Sequence, residues 1–136
     1  MTSQHPTVRF TNPASLSRPV GYSHVAEVSN GKTIYISGQV ALDQSGNLVG
    51  LNDLRAQTQQ VFTNLRAALE AVGADFNCVV KLTYYLLDIS QIQAVREVRD
   101  QFVNTGQPPA SSAVEVRRLF RDDLLIEIEA VAVVPA

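Results

Sequence analysis

The chain has 136 residues, 46% hydrophobic and 18% charged, with thirteen acidic residues against eleven basic and a formal charge of −2. That composition excludes the disordered class and fits one domain over residues 1–136, which at this length hides roughly two-thirds of the unfolded chain's surface. A nucleic-acid binder displays a basic face; here the local excess at Arg117, Arg118 and Arg121 is offset at once by Asp122 and Asp123, so no nucleic-acid partner is expected.

Residues 1–6 read as a loose tail. They contain no apolar signal core, and no run of about 18 apolar residues follows, so a soluble, cytoplasmic protein with no membrane partner is expected. His5, His24 and Cys78 have no spacing that could hold a metal, and neither a metal nor a cofactor is expected. Cys78, in an apolar pattern, reads as a small buried hydrophobe.

Val8 to Thr11 reads as a short edge strand. Two alternating segments follow, His24 to Ser29 and Thr33 to Ser37, and the intervening Asn30-Gly31 predicts a tight hairpin that pairs them. From an N-cap at Asn52 or Asp53, the positions Leu54, Thr58, Val61, Leu65, Ala68 and Val72 mark one face of a helix that Gly73 ends. Asn77 to Leu87 predicts a long strand, apolar on both faces and so covered on both. Ser90 to Gln93 fits a capping box that opens a second helix, with Ile92, Val95, Val98 and Phe102 as its stripe. Ser112 to Arg118 and Leu124 to Val134 complete the strands.

The order βββαβαββ predicts an α+β domain with two helices on one face of a mixed sheet. In the last strand Ile126, Ile128, Ala130 and Ala132 can face the core, while Glu127 and Glu129 share the opposite face with Leu125 and Val131. Apolar residues on that second face, Tyr85 and Leu87 among them, would meet water in a monomer, which points to a homo-oligomer.

Several short motifs occur in order: Gly21-Tyr22-Ser23, Ile36-Ser37-Gly38-Gln39-Val40, Glu70-Ala71-Val72-Gly73-Ala74, Val79-Val80-Lys81-Leu82-Thr83, Pro108-Pro109-Ala110-Ser111-Ser112-Ala113-Val114-Glu115-Val116 and Leu125-Ile126-Glu127-Ile128-Glu129-Ala130. Together, from about Arg18 to Val133, the chain resembles the RidA family, also called YjgF or L-PSP endoribonuclease-like. The resemblance implies a chorismate-mutase-like fold, a homotrimer, a small-molecule ligand in clefts between subunits, and hydrolysis of reactive enamines and imines. It implies Glu127 as the catalytic, water-activating carboxylate, Tyr22 as a cleft residue, Ser37 and Gly38 as backbone lining, and Ser112 in the pocket. Read without the resemblance, Glu127 is equally a solvated or ion-paired strand residue and Tyr22 an apolar lid. Glu129 reads as architectural, with Lys81, Arg117 or Arg118 as partner, and Glu115 likewise.

Three positions depart from the pattern. Ser111 stands where deaminating members carry the arginine that grips the substrate carboxylate. A charged hydrogen bond contributes about 1.5–3 kcal/mol and a neutral one about 1, so the loss weakens 2-imino-acid binding by roughly a hundredfold or more. Arg96 stands where asparagine is usual; it either reaches the cleft or, the simpler reading, pairs with Asp100 at i,i+4 on the solvent side. Ala113 stands where some members have cysteine, leaving a drier pocket. These features suggest a hydrolase acting on C=N bonds of a substrate other than the usual 2-imino acids. The alternative is a non-catalytic ligand-binding or regulatory trimer; ribonuclease activity is disfavoured by charge.

Overall fold

A computed structural model describes residues 7–136; the tail expected over residues 1–6 lies outside the described residues. The elements follow the expected order: β1 (Thr7–Thr11), β2 (Val25–Ser29), β3 (Lys32–Gln39), α1 (Leu54–Ala71), β4 (Val79–Leu86), α2 (Ile92–Arg99), β5 (Ala110–Glu115) and β6 (Ile126–Val134). Four strands form one mixed sheet in the order β3-β6-β4-β5, with β6 antiparallel to both neighbours and β5 parallel to β4. Parallel strands need a crossover, and α2 supplies the one between β4 and β5.

The hairpin predicted at Asn30-Gly31 does not pair its two strands. Both residues have positive φ, 63° and 108°, as a tight turn requires. Yet β2 pairs with β1, and β3 pairs with β6. The reason lies in what each strand can bury. None of β2 is fully buried, and its Glu27 accepts a 2.7 Å bond from Arg9 of β1. In contrast, Ile34 and Ile36 of β3 lie opposite Ala132 and Ala130 of the buried last strand. Turn residues set the local backbone; the apolar pattern sets the ladder.

Both long elements keep their expected cores with shifted edges. Asp53 caps α1, its carboxylate accepting from Ala56 N at 3.0 Å, and Gly73 beyond the helix has φ of 72°. The buried face is Leu54, Gln57, Thr58, Val61, Phe62, Leu65 and Leu69, whereas Val72 is 43% exposed. Gln57 explains its own burial: its amide donates to Gly50 O (3.0 Å) and Asp123 O (2.9 Å), and its oxygen accepts from Leu125 N (2.8 Å). That clamp ties α1 to the entry of β6. Phe62 stacks on Phe102 at 5.1 Å, with Phe76 edge-on to Phe102 at 5.7 Å.

β4 begins at Val79 rather than Asn77, because Asp75 Oδ1 accepts from Asn77 N and turns residues Phe76–Cys78 into a single 3₁₀ turn. Cys78 is partly exposed rather than buried. Ser90 does not cap α2, whose N-cap position is Gln91 with no side-chain capping bond; the side-chain cap is Asp88, one 3₁₀ turn earlier. Its carboxylate accepts from Ser90 N (3.0 Å), Ser90 Oγ (2.6 Å) and Gln91 Nε2 (3.0 Å), and a 3₁₀ turn over Ile89–Gln91 precedes the helix. The carboxylate also gains from the positive end of the helix, which a neutral hydroxyl does not. β5 runs Ala110–Glu115, leaving Arg117 and Arg118 beyond the strand.

The two helices cover one sheet face. Ile126, Ile128, Ala130 and Ala132 of β6 are buried beneath α1 and α2, as the alternation requires. The opposite face carries Lys81, Thr83 and Tyr85 of β4 with Glu127, Glu129 and Val131 of β6, all partly exposed, and Tyr35 of β3, 81% exposed.

Candidate functional site

Between α2 and the β4–β5 edge lies a cavity of about 170 Å³, lined by Tyr22, Tyr84, Arg96, Arg99, Ser111 and Ala113, with aliphatic walls from Val20, Ile92 and Val95. It has room for a small molecule rather than a polymer. Parallel pairing places Ser111 opposite Leu82 and Ala113 opposite Tyr84, so these side chains share the face beneath α2. The loop carrying Tyr22 is tied down at Ser23, whose N–H donates to Pro109 O (3.2 Å) and whose hydroxyl donates to Pro108 O (2.6 Å). Tyr22 also meets His24 edge-on at 5.2 Å.

Arg96 lines this cavity, and the pair expected with Asp100 is absent. Asp100 instead accepts from the neighbouring Arg99, through Nε and Nη2 at 2.9 Å each. Arg99, absent from the sequence-based site, is 8% exposed. Its approach depends on Gly21, whose φ is +77° and where any Cβ would collide with the guanidinium. The Tyr84 hydroxyl, on the same cavity, is buried without a hydrogen-bond partner. Burial pushes its pKa well above the usual tyrosine value, against a smaller opposing pull from the Arg99 charge. A signal for Arg99 existed: Ile92, Val95, Arg96 and Arg99 follow the i, i+3, i+4, i+7 spacing of one helix face.

The other site residues predicted from sequence stand across the sheet. Glu127 lies opposite Tyr85 on the face away from the helices, packed on Gly38, where a Cβ would overlap its carboxylate. Its pKa is raised, first by burial and second by the charge of Glu129. Glu129 takes neither Lys81 nor Arg117 nor Arg118 as partner: Tyr85 Oη donates to it at 2.6 Å. Lys81 Nζ donates instead to Ser112 Oγ at 3.2 Å. Ser37 lines a second cavity, of about 300 Å³, with Lys81 and Glu129. Glu115 accepts from Ile89 N (3.1 Å), a structural role linking β5 to the start of α2. Within the single chain, therefore, Tyr22, Arg96, Ser111 and Ala113 form one group, and Ser37, Gly38, Ser112 and Glu127 another.

Fold and site together define an α+β domain with a small-molecule cleft at its sheet edge and a perturbed carboxylate on its open face. The family model described as Endoribonuclease L-PSP matches residues 14–134, and the chain belongs to this family, the RidA/YjgF group. A RutC family protein of Synechocystis is 38% identical over 130 residues, covering 95% of this chain and 98% of that one. The 2-iminobutanoate/2-iminopropanoate deaminase of Mus musculus is 39% identical over 112 residues, 82% of this chain and 80% of the relative. Among solved structures, YyfB of Yersinia pestis, described as a Rid family protein of unknown function, superposes with a TM-score of 0.83 at 38% identity, covering 93% and 98% of the two chains. RidA of an Antarctic Psychrobacter gives 0.70 at 34% identity, covering 87% and 92%.

Proposed function

We propose that this protein hydrolyses the C=N bond of a small reactive enamine or imine, with Glu127 as general base. The observation that carries the reading is the Glu127 carboxylate, its pKa raised by burial, on the open sheet face of a chain 39% identical to a 2-imino-acid deaminase. Glu127 takes a proton from water as the water oxygen attacks the imine carbon. Glu127 passes that proton to the imine nitrogen, giving a carbinolamine. The proton of its new hydroxyl then moves to the same nitrogen as the C–N bond breaks, so that ammonia leaves and the C=O bond of the carbonyl product forms. Base catalysis of this kind contributes about 10²–10⁴ in rate.

The working form is a homotrimer of chorismate-mutase-like subunits, in which the Glu127 face of one subunit and the Tyr22–Ser111 cleft of another meet at a shared boundary. The partly apolar open face supports this, because exposed apolar surface of that kind marks an interface. Ser111 stands where the family's deaminating members place their carboxylate-gripping arginine, and this favours a substrate other than the usual 2-imino acids. RNA is not the substrate: the chain is acidic and the cleft is small.

The separation of Glu127 from the cleft within one subunit favours a second reading, a trimer that binds its ligand without turnover. An assay in which an amine oxidase generates imines without a carboxylate in situ, run beside one in which an amino-acid oxidase generates 2-imino acids, separates the two. Ammonia release faster than in buffer alone supports hydrolysis; thermal stabilisation by ligand with no extra ammonia supports binding alone.

A further inference from the structure

Among the described residues Arg99 is the one buried charged side chain. A buried charge is costly unless it is paired and hydrogen-bonded. Asp100 engages Nε and Nη2, and its own side chain is 50% exposed. Nη1 makes no hydrogen bond of good geometry among the described residues, and, against the larger upward push of burial, the guanidinium lies close enough to the Tyr84 hydroxyl to lower its pKa. Tyr84 lines the same cavity, and its hydroxyl, buried and without a hydrogen bond of good geometry, stands beside the guanidinium. Two donors thus converge on a space whose other walls are mainly aliphatic.

We infer that Arg99 and the Tyr84 hydroxyl, with Arg96 at the rim, form a binding site for the carboxylate of a small ligand with an apolar body. This cation stands on α2, across the cleft from Ser111, so a carboxylate held by it takes a different position from one gripped from β5. The local charges of Arg96, Arg99 and Asp100 leave one net positive charge, matched to a monoanion. A planar guanidinium with free N–H groups is shaped for a carboxylate. Gly21, by admitting the guanidinium beneath the Tyr22 loop, is what lets the arginine reach the cavity. The inference rests on the cleft being the ligand site of the proposed hydrolase, but not on the chemistry of Glu127.

The test is an NMR titration of the ¹⁵N-labelled full chain with butanoate and with its neutral counterpart butanamide, following the arginine Nε–H resonances, with Arg99 assigned through Arg99→Lys. Butanoate is expected to shift Arg99 and butanamide to leave it unmoved. Arg99→Gln is expected to weaken butanoate at least about tenfold and Tyr84→Phe severalfold, since each removes a donor. Asp122→Asn, at an exposed surface carboxylate, is expected to bind like the parent. An unmoved Arg99 resonance, an equal response to butanamide, or unchanged affinity in Arg99→Gln would overturn the site. Should Arg99→Gln fail to fold, the parent's Arg99 resonance and Tyr84→Phe decide. Butanoate binding in a parent that releases no ammonia would sink the hydrolase reading and leave this one standing. Turnover with no Arg99 response would do the reverse.

Discussion

The Tyr85 hydroxyl donates a 2.6 Å hydrogen bond to Glu129, so of the two carboxylates on the open face of β6 one is occupied and Glu127 is left available to water. The two therefore differ in role despite being two residues apart. Glu129→Gln is expected to keep turnover within severalfold of the parent, because amide and carboxylate both accept from Tyr85. A loss comparable to that of removing Glu127 would contradict the division, and steady-state ammonia release reads it.

The pH dependence follows from the raised pKa of Glu127. A general base works ionised, so kcat/KM falls as pH drops through that pKa, and the acid limb lies above the ordinary carboxyl value of 4.5. Burial is the larger cause and Glu129 the smaller, so Glu129→Gln moves the limb down but not back to the ordinary value. For stability, the folded state holds this proton more tightly than the unfolded chain. The stabilisation is full below about pH 4.5 and is lost as pH rises through the folded pKa. Thermal midpoints of the parent relative to Glu127→Gln, followed across that window, check the sign.

Ser111 and Arg99 line one cavity from opposite elements, β5 and α2. An arginine introduced at Ser111 restores a cation on the strand, and Ser111→Arg is expected to raise turnover of short 2-imino acids by about tenfold or more. High activity of the unmodified protein on those substrates, unimproved by the substitution, would refute the reading of Ser111. The oxidase-coupled assay measures both.

Gln57 is fully buried and makes three hydrogen bonds to backbone groups of two loops. Gln57→Leu keeps the volume but strands those groups, and a loss of about 2–3 kcal/mol is expected in denaturant unfolding. A loss under about 0.5 kcal/mol would mean that water replaces the amide.

Which residue caps the 3₁₀ turn leading into α2 is also testable. Asp88 receives three hydrogen bonds, whereas Ser90 only donates to it through its side chain. Asp88→Ala is expected to lower the thermal midpoint more than Ser90→Ala; the reverse order would restore the serine cap.

Much of this architecture was legible in the residues. The period-two pattern of Ile126, Ile128, Ala130 and Ala132 fixed the buried face of β6, and the spacing of Leu54, Val61 and Leu65 fixed α1, because burial is a strong and local constraint on each. Pairing was less legible. Asn30-Gly31 specifies a turn, but whether β2 or β6 lies beside β3 depends on which strand has apolar surface to bury. The open face of the sheet was anticipated through Tyr85, Glu127 and Val131. Half of the cleft was not. Arg99 and Tyr84 escaped because an arginine near a helix end reads as solvated and a tyrosine in an apolar strand reads as core. Their roles emerge only when the Gly21 loop closes over one and leaves the hydroxyl of the other unpaired.

The most direct test of the central claim is the single-turnover rate of ammonia release by Glu127→Gln, measured where ligand affinity matches the parent. A fall of about 10²–10⁴ with binding retained is expected; a rate equal to the parent's would contradict a general-base role for Glu127.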